Sequence, residues 1–180
     1  MKKKLLIGVC GSVGACSIFN YISVLVPYFQ IRIIFTENAL KFVEPAGFQS
    51  LIETYYVKEF SDMNPLHITL SDWADYFVIL PASANSISKM SHGIADNLLT
   101  STLLAYTRPV YIAANMNPRM WNNPIFQDQV NYLKEKGHIF INEGKMAIEA
   151  ATGKEVYSEA CMPSFKHLLK ALDVKKEDVI

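Results

Sequence analysis

Apolar runs and amphipathic stretches alternate along this chain. Residues 4–9 and 31–35 are apolar apart from Lys4 and Arg32, the second rich in isoleucine, and both read as buried strands. Between them Gly11-Ser12-Val13-Gly14 reads as a turn and residues 15–28 as a helix. Thr36 is placed to cap a helix starting near Asn38. Pro45 and Gly47 interrupt, after which residues 48–60 read as helical. A third strand is expected at 76–80, helical segments at 85–106, a fourth strand at 110–113 and a helix at 124–136. Gly137 stops that helix, and a fifth strand follows at 138–141. Residues 144–157 read as a hairpin or loop, 163–172 as a short helix, and 175–178 as a solvated end. Strands separated by helices imply an α/β, doubly wound domain with a parallel sheet of five or six strands, covered on both faces.

The bulk numbers fit one such domain. The chain has 180 residues, 51% hydrophobic and 19% charged, enough for a sizeable core and too apolar for disorder. Lys+Arg and Asp+Glu are equal at 17 each. That balance lacks the basic footprint of a nucleic-acid binder and favours self-association. Three cysteines, Cys10, Cys16 and Cys161, cannot all pair with one another, and no His/Cys cluster has metal spacing. They read as reduced thiols of a cytoplasmic protein, with Cys10 and Cys16 as small core residues. Lys2-Lys3-Lys4 before an apolar run imitates a secretory signal, and Val13-Gly14-Ala15-Cys16 a lipoprotein cleavage site. The repeating strand–helix pattern assigns the same residues to a first strand and its glycine turn instead. No run approaches the ~20 apolar residues that span a bilayer.

Two segments interrupt this core pattern with small and amide residues. Pro81-Ala82-Ser83-Ala84-Asn85 follows the third strand and Asn115-Met116-Asn117-Pro118-Arg119-Met120-Trp121 the fourth. Ligands of open α/β sheets bind at the carboxyl ends of strands, so both segments stand at the mouth of the sheet. The turn at Gly11 and Ser12 suits a phosphate beside a helix N-terminus. It lacks the third glycine of the dinucleotide fingerprint, and Thr36 stands where an acidic residue would hold a ribose, so a mononucleotide fits better than NAD. Ser83 and Asn85 read as helix caps or as groups meeting a ligand, and both can hold together; the Asp96-Asn97 pair lies within a helical apolar pattern, where its carboxylate and amide could face a ring system. His67 precedes the third strand; a lone histidine there reads either as a surface or satisfied core residue or as a catalytic group.

These residues resemble the homo-oligomeric flavin-containing cysteine decarboxylases. The likeness runs from the glycine turn to about Gly153. It rests on Pro81 to Asn85, on the Asn-Met-Asn-x-x-Met-Trp motif at Asn115 to Trp121, on His67, and on the Gly-x-x-Asp-Asn-Leu run from Gly93 to Leu98. The resemblance implies a single Rossmann-like (flavodoxin-like) flavoprotein domain over 1–180, with a substrate-clamp loop at 142–160 and a C-terminal helix and tail at 161–180. It implies bound FMN, or FAD as in some members. The phosphate would lie near Gly11, Ser12 and Thr36. Pro81, Ala82, Ser83, Ala84, Asn85, Asp96, Asn97 and Met116 would complete the cofactor site. Substrates of the family end in a cysteine whose free carboxylate is lost. Asn117 would hold that carboxylate and His67 serve as base. Met116, Met120, Trp121 and Met146 would shape the substrate pocket. Family members form trimers or dodecamers, with sites at subunit contacts.

Two branches of the family differ in one loop. Phosphopantothenoylcysteine decarboxylases carry Ala-Cys-Gly there and reduce the enethiol product again with that thiol. Lantibiotic peptidyl-cysteine decarboxylases stop at the enethiol. Here the stretch is Met146-Ala147-Ile148-Glu149-Ala150-Ala151-Thr152-Gly153, with Thr152 in the cysteine's place. Cys161 is a displaced alternative without the following glycines. The expected partner is therefore a precursor peptide ending in cysteine, converted to an aminoenethiol that a lantibiotic synthetase, in complex with this chain, closes into a ring. The coenzyme A branch is the second enzymatic reading. A phosphatase-regulating subunit is disfavoured by the presence of both His67 and Asn117, and flavin prenyl transfer by the Asn-Met-Asn motif.

Overall fold

The computed structural model describes residues 2–55 and 65–174. Six parallel strands form the sheet: β1 (Lys3–Val9), β2 (Phe29–Phe35), β3 (Glu53–Tyr55), β4 (Tyr76–Ala82), β5 (Val110–Ala114) and β6 (Ile139–Phe140). Their order is β3-β2-β1-β4-β5-β6. Without the short edge strand β3, this is the flavodoxin order with its switch point between β1 and β4. β7 (Lys145–Ile148) and β8 (Glu155–Ser158) form a separate antiparallel hairpin.

Alternation along the strands divides the core in two. Leu5, Ile7 and Val9 of β1, with Ile33 and Val78, pack against α1 (Ile18–Leu25) and α7 (Phe165–Ala171). Leu6, Ile34, Phe77, Ile79 and Ile112 point the other way. They meet α2 (Leu66–Trp73), α3 (Ala84–Ser91), α4 (Leu98–Ala105) and α6 (Pro124–Glu135). Strands covered on both faces must be apolar on both, which is why 4–9 and 76–80 read as unbroken runs.

The structure departs from the sequence pattern in three places. Residues 53–55 are not helical: Glu53–Tyr55 pairs with Arg32, Ile33 and Ile34 of β2, because a sheet edge outcompetes a weak local helical preference. The remainder of that expected helix, from residue 56, and the end at 175–178 lie outside the described residues. The helical segments expected at 85–106 are present as two helices, separated where Gly93 takes φ +66°. The helix expected near Asn38 is a single 3-10 turn, Ala39–Lys41, although the Ala39 N–H does bond Thr36 Oγ1 at 3.3 Å. Cys16 is exposed rather than packed in the core, whereas Cys10 is buried; all three cysteines are free thiols. Among the described residues no helix is long and apolar enough to cross a membrane.

Asn142, just after β6, joins the sheet to the C-terminal segment. Its Oδ1 accepts the Ala114 N–H at 2.9 Å, and its Nδ2 donates to the carbonyls of Ala114 and Cys161. This tether brings residues 160–162 to the mouth of the sheet.

Candidate active site

Backbone bonds align the strand ends at the mouth. Thr36 N–H bonds Val9 O, Cys10 N–H bonds Pro81 O and Asn115 N–H bonds Ala82 O, all near 3.0 Å. The loops beyond them enclose a cavity of 720 Å³, within the range of small-molecule sites. It gathers Gly11, Ser12, Thr36, Ser83, Ala84, Asn85, Asp96, Asn97, Met116, Asn117 and Met120 from segments far apart in the chain. Glu149 on the hairpin and Cys161 complete part of its wall.

Several of these side chains also cap helices. Ser83 Oγ accepts the Ser86 N–H at 3.3 Å at the start of α3. Asn97 and Thr100 form a reciprocal capping box at the start of α4, with Asn97 Oδ1 to Thr100 N at 3.0 Å. Asn97 Nδ2 donates to Asp96 Oδ1, and Lys89 pairs with Asp96 across the cavity rim. The Lys89 hydrogen bond is the main cause holding the Asp96 carboxyl below its usual range. Ser83 and Asn97 thus cap their helices while also lining the cavity, so a ligand there would meet groups that the helix starts already hold in place.

Asn117 is the best defined of these groups. It precedes the short helix α5 (Pro118–Trp121), and its Oδ1 accepts the Arg119 N–H at 2.8 Å. That bond fixes the amide orientation. Nδ2 is left as a donor and meets Glu149 Oε1 at 2.7 Å. Glu149 Oε2 accepts the Thr152 hydroxyl, also at 2.7 Å. Hydrogen bonds from Thr152 and then Asn117, with a smaller pull from Arg119, hold the Glu149 carboxyl below the usual carboxylate range. The contact is thus present at neutral pH and is lost only as pH falls through that depressed value.

Ser12 offers a test of the expected cofactor. Its Oγ is buried, lines the cavity and has no hydrogen-bond partner. A buried hydroxyl left unpaired is costly unless a ligand completes it. A phosphate oxygen at the turn would do so, with Thr36 opposite, so the residues present fit a flavin mononucleotide. Ser12→Ala is expected to leave the melting temperature of the flavin-free protein no lower than that of the wild type, because the hydroxyl has no partner to lose. It should weaken FMN by about tenfold or more, the scale of a hydrogen bond to a charged group; fluorescence titration of the apoprotein measures it. Unaltered affinity would remove Ser12 from the phosphate site.

Five expected site residues stand elsewhere. Pro81 and Ala82 are buried within β4 and do not line the cavity. Trp121 is 7% exposed and packs between Phe126 and Phe140, its Nε1 donating to Glu159. Met146 is an exposed residue of β7 outside the wall. Pro81, Ala82 and Trp121 can shape the site through packing, and the strand carrying Met146 presents Ala147 and Ile148 to the cavity. His67 is half-buried on α2, which packs on α4, and is not among the lining residues. The sequence reading missed Glu149, although Glu149-x-x-Thr152 carried a local signal in the spacing of a carboxylate and a hydroxyl. Cys161, named there as a displaced alternative thiol, does reach the cavity wall, where Asn142 tethers it.

The Flavoprotein family model matches residues 1–175. The bifunctional coenzyme A biosynthesis protein CoaBC of Bacillus subtilis (strain 168) is 42% identical over 124 residues, 66% of this chain and 30% of that protein. The chain thus spans about a third of the length of the CoaBC relatives it matches. Mersacidin decarboxylase of a Bacillus species is 33% identical over 171 residues, covering 93% of this chain and 88% of the relative. Among solved structures, a His-to-Asn variant of EpiD complexed with the substrate peptide DSYTC has a TM-score of 0.85 at 30% identity, covering 94% and 98% of the two chains. The FMN-binding protein AtHal3 has a TM-score of 0.81 at 28% identity, covering 98% of each. The flavodoxin-like sheet with a cavity at its switch point and the match to the Flavoprotein family together define a flavin-binding protein. The chain belongs to the Flavoprotein family, within the group of flavin-dependent cysteine decarboxylases.

Proposed function

We propose that this protein oxidatively decarboxylates the C-terminal cysteine of a peptide and releases an aminoenethiol. The observation that carries this reading is the hairpin. Its face on the cavity bears Ala147, Ile148, Glu149, Ala150 and Ala151, and Thr152 beyond them is bonded to Glu149. The hairpin has no thiol to reduce the product again.

FMN, when bound, accepts the two electrons withdrawn from the cysteine side chain. The cysteine Cβ–S bond becomes a thioaldehyde as the thiol proton and a hydride equivalent depart. That carbonyl-like sink lies β to the carboxylate, so the bond to CO2 breaks and an enethiolate remains. Asn117 Nδ2 anchors the leaving carboxylate as a neutral donor, whereas a fixed cation there would oppose its loss as CO2. His67 exchanges the proton at sulfur. Since His67 lies outside the cavity of its own chain, this role places the complete site at a contact between copies, as trimeric or dodecameric assembly would. His67→Ala is expected to bind flavin but not turn over. Co-assembly of His67→Ala with Asn117→Ala chains should restore part of the activity. Loss of flavin in His67→Ala would assign it to binding, and absence of complementation would place both residues in one subunit's site.

Phosphopantothenoylcysteine is the second substrate reading. It is favoured by the likeness to CoaBC and by Cys161, 5% exposed and in the cavity wall. Incubation with each substrate separates the two. The peptide reading expects turnover of peptides ending in cysteine and none of phosphopantothenoylcysteine. Release of phosphopantetheine, lost in Cys161→Ser, would overturn it.

A further inference from the structure

We propose that Glu149 is an internal surrogate for the substrate carboxylate, occupying Asn117 and competing with the acid that the site is built to hold. The inference rests on the reading of Asn117 as carboxylate anchor.

The contact is organised from both sides. Asn117 Oδ1 is committed to the Arg119 N–H, so Nδ2 is the donor presented at the cavity. Glu149 is fixed by the hairpin turn. Its N–H bonds Lys154 O at 2.8 Å, and its carbonyl accepts the N–H of Gly153 at 2.8 Å and that of Thr152 at 3.2 Å. The Thr152 hydroxyl then holds Oε2 and directs Oε1 to Asn117. A carboxylate of the protein thus makes, with the same amide, the bond expected of a carboxylate of the substrate. Two anions at one amide repel. Binding of the substrate acid must therefore displace Glu149 and with it release the hairpin from α5. The surrogate lowers affinity for every acid alike and leaves ligands without a carboxylate unaffected.

The test uses the FMN-loaded full chain and two probes, N-acetyl-L-serine and its amide. The acid ends in the carboxylate common to both substrate classes and has no thiol to oxidise. Binding is read from the flavin absorption and by calorimetry. Glu149→Gln removes the charge but keeps an oxygen able to accept from Asn117, and Glu149→Ala removes both. Glu149→Ala is expected to bind the acid about tenfold more tightly than the wild type, the scale of one charge-assisted hydrogen bond released from competition, and Glu149→Gln to show a smaller gain, with no change for the amide in either. Unchanged or weaker acid binding in both variants, while Asn117→Ala abolishes the preference for acid over amide, would overturn the surrogate and leave the anchor standing. If Asn117→Ala keeps the wild-type preference, the anchor fails and the surrogate with it.

Discussion

Asn117→Ala is expected to leave the protein yellow and to lower turnover by about a hundredfold or more, the cost of misplacing a reacting group. The side chain stands at the start of α5, where Pro118 and the other residues of that helix remain to shape the loop. What disappears is Nδ2, the donor facing the cavity, together with one cap bond worth about 1 kcal/mol. Ser12, Thr36, Ser83 and Asn97, the residues proposed to hold the flavin, are untouched, so FMN occupancy should stay at the wild-type level. Glu149 loses its partner at the same time, and its carboxyl should rise toward the ordinary carboxylate range, since the Asn117 bond is the second cause of its depression. Flavin absorbance with single-turnover kinetics measures both. Turnover at the wild-type rate would remove the anchor; loss of colour would make Asn117 a cofactor residue.

Gly11→Ala is expected to yield a folded protein largely free of flavin. A Cβ at Gly11 would lie 2.6 Å from Asn38 Cβ, 2.7 Å from its carbonyl carbon and 2.8 Å from its carbonyl oxygen. Two of those atoms are backbone, so no rotamer change relieves the clash, and overpacking of this kind costs about 1–3 kcal/mol. The cheapest escape moves residues 11–14 away from the loop that carries Thr36. It thereby separates the two hydroxyls, Ser12 and Thr36, that fit the phosphate. The flavin-to-protein ratio after purification, and the affinity on reconstitution, should fall by at least tenfold, roughly the value of one lost charge-assisted bond. Full occupancy would show that the phosphate does not depend on this close approach.

The sheet was legible because burial on both faces leaves its mark on most residues of β1, β2, β4 and β5. The edge was not: Glu53–Tyr55 is three residues long, and its pairing with β2 is a tertiary choice that local pattern does not encode. The mouth residues were legible as polar and small groups directly after apolar strands. The cavity brings together the turn after β1, Thr36 after β2, the segment after β4 and Asn117 after β5, although nothing in their spacing states a distance. Trp121 shows the limit of the motif. It stands in a run rich in site residues, yet its ring is spent on the packing of Phe126 and Phe140. Glu149 was visible in the same stretch that supplied Thr152, but its partner lies 32 positions earlier, and only the folded hairpin joins them.

The most direct test of the account is the mass of a synthetic peptide ending in cysteine after incubation in air with the purified yellow protein. Loss of CO2 together with two hydrogens is the predicted result, since the hairpin has no thiol to return the electrons. Loss of CO2 alone, or an unchanged peptide beside turnover of phosphopantothenoylcysteine, would contradict it.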